Sequence, residues 1–335
     1  MNEMNHKVEL TSGEIANLWT QYMSDSMAAC VLKHSIKNTQ DKETRDMLEY
    51  ALSLSESHIE KIKHFFNEEN FPIPKGFTKD DVNLDAPALF TDTFLLAYML
   101  IMTIHGLTGY AGAVSTSVRA DQRAFFMECN KESMELHNRV VQLMLDKGIY
   151  SKPPRINTPK QVEFVHNQSY LSGWFGKKRP LNAIEISGVS YNMQKTVAKI
   201  VLEIAFAQVC KSKELQKYFQ RGKTICKKQF DMLSAILSKE DLSSPASWVS
   251  EITDSTIPPF SDKLMLYHIV ILVSGGVGYL GAALSVSQRR DIALKYTYLM
   301  ADIGRYAEDG AQLLIDNGWL EQPPLAEDRN NLANT

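Results

Sequence analysis

This sequence has almost no excess of charge of either sign. Its 335 residues hold 36 Lys and Arg against 39 Asp and Glu, a formal net charge of −3. Nucleic-acid and polybasic membrane surfaces need a basic excess, so neither partner is expected. Long apolar runs are missing too: no stretch approaches ~20 uninterrupted apolar residues, and no membrane span is expected. The polar, mixed-charge segment from Met1 to Leu10 does not read as a signal peptide. The four cysteines, Cys30, Cys129, Cys210 and Cys226, are scattered without a CxxC pair. They read as reduced thiols of a cytoplasmic protein, not as a disulfide frame or a zinc knuckle. Phosphate loops, nucleophile elbows and HExxH patterns are absent. So are β-branched alternating runs, which excludes a sheet.

What is present is a long internal repeat. Ser117-Val-Arg119-Ala-Asp121 returns as Ser287-Gln-Arg289-Arg-Asp291, and Lys147-Gly148 with Pro153-Pro154 returns as Asn317-Gly318 with Pro323-Pro324. The offset is 170 there and 171 earlier, where Glu14 falls on Glu185 and Pro74 on Pro245. A register this long means two copies of one fold. Apolar residues recur at spacings of three and four, so both copies are all-α. Thr11-Ser-Gly-Glu14 and Asn182-Ala-Ile-Glu185 carry the start pattern in which side chains cap a first helical turn reciprocally. In the first copy, helices are predicted from Thr11 to about Asn38, from Asp41 to about Asn70, from about Ala88 to Ser117 and from Ala120 to Lys147. The first and last turns are short. The ~17 residues between the second and third helices could span roughly 50 Å, and a 28-residue helix is roughly 42 Å long. Hairpin, long crossover, hairpin is the connectivity of a ferritin-type four-helix bundle. The expected organisation is one bundle over 1–150, an aromatic and Pro-containing linker over 151–181, a second bundle over 182–325, and a disordered tail over 326–335.

Glu14, Leu18-Trp19, Tyr22, His58-Ile59, Pro72-Ile-Pro-Lys-Gly-Phe-Thr78, Asp80, Arg119, Asp121, Lys147-Gly148 and Pro153-Pro154 together resemble the DUF3231 family across nearly the whole chain. The resemblance implies two tandem ferritin-like bundles and a looser kinship with ferritin-like spore-coat proteins. It implies no catalytic residues.

A di-iron site of ferritin type takes one Glu from each of two helices and a Glu-x-x-His pair from each of the other two. Ser55-Glu-Ser-His58 and Met134-Glu-Leu-His137 have the His without that Glu, so a carboxylate-bridged di-iron centre is not expected. Three histidines remain on apolar seams: His58, His105 and His137. Counting from the helix ends at roughly 1.5 Å per residue puts His58, His105 and Tyr22 near one level. His137 falls roughly 7 Å away, where Glu132 is the nearer residue on the fourth helix. In the second copy these histidines become Gln229, Gly275 and Ala307. Joint absence suits one unit working in the first copy only: Fe or Zn held by His58, His105 and His137, completed by Tyr22, Asp25 or Glu132. A lone core histidine is more often bonded to a carbonyl or hydroxyl. The alternative is therefore a non-enzymatic structural or interaction protein, spore- or stress-associated, with no metal. A weaker second candidate is Glu203 with His268 and Glu308. No nucleotide or organic cofactor is indicated. A homo-oligomer or a protein partner is left open.

Overall fold

The computed structural model describes residues 8–174 and 178–333. Eight long helices form two repeated halves: α1 (Ser12–Asn38), α2 (Lys42–Glu68), α3 (Asp92–Thr116) and α4 (Ala120–Asp146), then α5 (Ala183–Val209), α6 (Lys213–Ser238), α7 (Asp262–Val286) and α8 (Arg290–Asp316). Each half is two hairpins joined by a long crossover. Among the described residues the only extended pairing is a pair of isolated bridges.

Both start signals fold as reciprocal caps. Glu14 accepts the Thr11 N–H at 2.8 Å while Thr11 accepts from Glu14, and Asn182 with Glu185 repeats the arrangement. Glu14 also accepts the N–H groups of Val118 and Arg119, at 2.8 and 2.7 Å, from the turn between α3 and α4. Burial raises its pKa, but these backbone donors outweigh burial and hold the carboxyl below its usual range. The Arg119 guanidinium pairs with Glu69 at the end of α2 and with Asp121. Each hairpin is thus tied to the other at one end of the bundle.

The two crossovers pair with each other. Val82 bridges Phe260 and Phe90 bridges Ile252, both antiparallel. At the offset of 170, Val82 corresponds to Ile252 and Phe90 to Phe260, so the pairing is reciprocal about a pseudo-twofold axis. Thr91 N–H donates to Glu251 O at 3.0 Å, and Ser261 N–H to Asp81 O at 3.0 Å. The matching side chains follow: Thr91 Oγ1 to Glu251 at 2.6 Å and Ser261 Oγ to Asp81 at 2.7 Å. This pairing delays α3. A helix predicted from about Ala88 starts at Asp92, because Phe90 is held in the bridge and Thr91 caps the helix.

On the same axis α3 meets α7. Tyr98 Oη lies 3.2 Å from His268 Nε2, and these two residues are each other's counterparts. Eight consecutive residues of α3, Phe94–Ile101, are buried, since the helix packs within its own bundle on one side and on the other half beyond. By length and composition α3 and α7 could cross a membrane; here their amino-terminal halves form the shared core.

The linker docks through Tyr170, whose ring lies 3.9 Å under Arg179, itself paired with Glu185. Phe164 and Trp174 stay exposed, and Phe175 lies outside the described residues. The tail, expected to lack structure, carries a single-turn helix, α9 (Arg329–Ala333), started by Asp328.

With one apolar core running through both halves, the chain should melt as a single cooperative unit. Calorimetry should give a calorimetric to van't Hoff enthalpy ratio near one; two separable transitions would refute a shared core.

Candidate functional site

Helices α1, α2 and α4 bring four polar side chains together in the first bundle. His58 on α2 is buried; its Nε2 lies 2.8 Å from Glu132 Oε2 on α4. Its Nδ1 lies 3.3 Å from Asp25 Oδ2 on α1, off the line of a hydrogen bond. Cys129, one turn before Glu132, completes a group in which His58, Cys129 and Glu132 ligand atoms lie within 4.8 Å of one another. Gln21, one turn before Asp25, donates to the Asp25 carboxylate and, at 2.6 Å, to Tyr110 Oη on α3. Burial opposes charge on His58, but Asp25, Cys129 and Glu132 outweigh it and push its pKa up to about 12. Burial also raises the Cys129 thiol, partly offset by His58.

Beside this group lies a cavity of 310 Å³. Asp25, His58, Cys129 and Ser133 form one wall. Met27, Leu54, Met102 and Leu136 form its apolar middle, and Tyr98, His105, His268, Ile271 and Leu272 line its far side. The last three belong to α7, so the second half closes a cavity of the first. Thr20 and Gly109 on the rim are exposed, so it opens to solvent between α1 and α3. Gly106 sets one wall: a Cβ there would stand 2.3 Å from Ser133 Oγ.

Of the six residues expected in the first bundle, the structure brings together His58, Asp25 and Glu132. His105 lines the same cavity, but its Nδ1 faces Tyr279 Oη of α7 at 3.2 Å, and burial, with Lys195 and Lys199, lowers its pKa to about 4. His137 bonds Thr103 Oγ1 at 2.9 Å and does not reach the group. Tyr22 is buried but packs under Gly76 of the crossover, whereas Gln21 and Asp25 are the residues of this turn of α1 that line the cavity. Cys129 escaped the sequence reading, although Cys129-Asn-Lys-Glu132 is an i, i+3 pair of possible ligands on one helix face.

A family model described as "Protein of unknown function (DUF3231)" matches residues 1–162 and 169–332. No curated protein matches. The solved structure of a "putative spore coat protein" from Bacillus halodurans C-125 is 17% identical, covering 45% of this chain and 98% of its own, with a TM-score of 0.41.

In the second half, Glu203, His268 and Glu308 do not meet. Glu308 is exposed, because Tyr306 and Gly310 take the inward phase of α8. His268 turns to Tyr98. Glu203 is fully buried with Cys226 Sγ at 3.7 Å, and close to Tyr306. Burial raises its pKa to about 8, with Lys199 opposing. The folded chain therefore keeps a proton that the unfolded chain loses above pH 4.5, so Glu203 reduces stability progressively from pH 4.5 to about 8. Lys195, lowered to about 6 by burial and Lys199, has the opposite slope, so the variant must be read against wild type. Glu203→Gln should match wild type near pH 4.5 and gain roughly 1.4 kcal/mol per pH unit up to about 8, measured by urea denaturation. A pH-independent difference would show that Glu203 is ionised in the folded protein.

Proposed function

We propose that this chain, which belongs to the DUF3231 family, binds one Fe or Zn ion in its first bundle through His58 Nε2, Cys129 Sγ and the Glu132 carboxylate. One observation carries the reading: a buried histidine faces a carboxylate with one ring nitrogen and a second carboxylate and thiol with the other, beside a cavity. Metal-bound imidazoles are typically oriented in this way, by a carboxylate at the far nitrogen, and Asp25 is placed for that role. A nitrogen, a sulfur and an oxygen donor suit a borderline ion such as Zn²⁺ or Fe²⁺ and disfavour Ca²⁺ or Mg²⁺. The donors do not fit a carboxylate-bridged pair of irons, since among the described residues this group contains one histidine and two carboxylates. Three protein ligands leave an ion a free position for water or substrate, and Cys129 and His58 both lie on the cavity wall.

The high pKa of His58 supports a second reading. There the same group binds a proton: an imidazolium clamped between Asp25 and Glu132 that holds α1, α2 and α4 together in a non-enzymatic scaffold or interaction protein.

Elemental analysis of untagged protein separates the two. Wild type should hold about one Fe or Zn per chain, and His58→Ala and Cys129→Ser should hold none. Asp25→Asn should keep the ion with affinity reduced roughly 10–100-fold. Wild type that takes up neither metal, even after anaerobic incubation with Fe²⁺ and Zn²⁺, would exclude the metal reading and leave the proton clamp.

A further inference from the structure

The second copy supplies a control for the cavity. Around the mouth, the first copy has Thr20, Ser24, Ala28 and Gly109; at the same positions the second copy has Tyr191, Lys195, Lys199 and Tyr279. Those larger side chains fill the space. Lys195 Nζ sits 2.7 Å from the Tyr191 ring centroid and 4.2 Å from that of Tyr279, and Lys195 and Lys199 are both buried. One copy of the fold is stoppered between its first and third helices, and the other is open there.

We propose that the open cavity binds an uncharged, mainly apolar small molecule of about a dozen heavy atoms that enters between α1 and α3. This names the substrate class of the site above, and only the placement of its reacting end, against Cys129 and His58, rests on the metal reading. Size follows from volume. A cavity of roughly 150 Å³ holds benzene, and this one measures 310 Å³. Neutrality follows from the lining: no lysine or arginine contributes to it, and Asp25 already faces His58. A charged ligand would be desolvated without a counter-ion. The apolar middle, rich in methionine and leucine, fits a chain or ring. One polar group of the ligand has a partner waiting. His268 lines the cavity at the twofold axis, is 1% exposed, and its Nδ1 has no hydrogen-bond partner. A hydroxyl or carbonyl on the ligand satisfies that nitrogen.

The test is isothermal titration of the full chain with 1-octanol, run on chelator-treated and on metal-loaded protein. Wild type should bind one 1-octanol per chain in either state, and octanoate at least tenfold more weakly. Thr20→Tyr/Gly109→Tyr, which grafts the second copy's stopper, should lose 1-octanol binding at least tenfold while keeping the wild-type melting transition and metal content. His268→Leu should weaken 1-octanol about tenfold without affecting metal. The proposal is overturned if wild type fails to bind 1-octanol, if octanoate binds as tightly, or if the stoppered variant, folded, binds like wild type; unchanged affinity in His268→Leu overturns the anchor at the axis. The metal reading fails separately, on metal content alone.

Discussion

Backbone hydrogen bonds between the two crossovers decide which helix faces this protein can leave uncovered. Asn83 N–H reaches Pro259 O, Thr253 N–H reaches Leu89 O, and Thr91 and Ser261 repeat the exchange with Glu251 and Asp81. An extended segment with unpaired donors and acceptors over a core would be costly, and each crossover satisfies the other's. That exchange fixes the axis and brings the amino-terminal halves of α3 and α7 together. It makes Phe94–Ile101 buried all round. Beyond His105 and Gly275 the two helices are more exposed, and there the glycines of α3 meet solvent or the cavity.

At that axis the two copies carry different residues. Position 98 of the first copy touches its own counterpart, 268, and a tyrosine hydroxyl and a histidine ring nitrogen make a hydrogen-bonded pair there. Position 105 meets 275 in the same way: a Cβ on Gly275 would lie 2.9 Å from His105 Cε1. A histidine on both sides would collide, so glycine opposite His105 has a steric reason. The joint loss of three histidines from the second copy is thus weaker support for a three-histidine site than it looks in sequence. One of the three absences belongs to packing.

How far the sequence could be read divides along the same line. The repeat, the reciprocal caps at Thr11 and Asn182, and the hairpin–crossover–hairpin order are local patterns, and they are legible because each is settled within a few residues or one helix. The start of α3 is not, because the partner that holds Phe90 lies 162 residues further along, at Ile252. Side-chain phase around a helix is the second obstacle. Tyr22 and Asp25 differ by three positions, yet one faces the crossover and the other His58. Glu132 lies at the level of His58 on the fourth helix by residue count, whereas Cys129 reads in the sequence only as a reduced thiol. Recognising Cys129 required knowing which face of α4 meets α2.

The second half is more than a worn copy of the first. It supplies Leu272, Ile271 and His268 to a cavity it does not enclose, while Tyr191, Tyr279, Lys195 and Lys199 close the equivalent space of its own. Closing that space has an electrostatic cost. Burying Lys195 depresses its pKa to about 6, and its Nζ finds aromatic faces in place of a hydrogen-bond acceptor. Lys195 and Lys199 in turn help keep His105 uncharged. With His105 and His268 both held toward the neutral form by burial, the far wall, completed by Tyr98, Ile271 and Leu272, presents no positive charge to the cavity. The charge that remains is gathered at the opposite wall, on Asp25 and His58, with Glu132 behind. The polar wall and the neutral apolar body of the cavity are then properties of the two halves together: α1, α2 and α4 supply the polar group, and α7 closes the far side without adding charge.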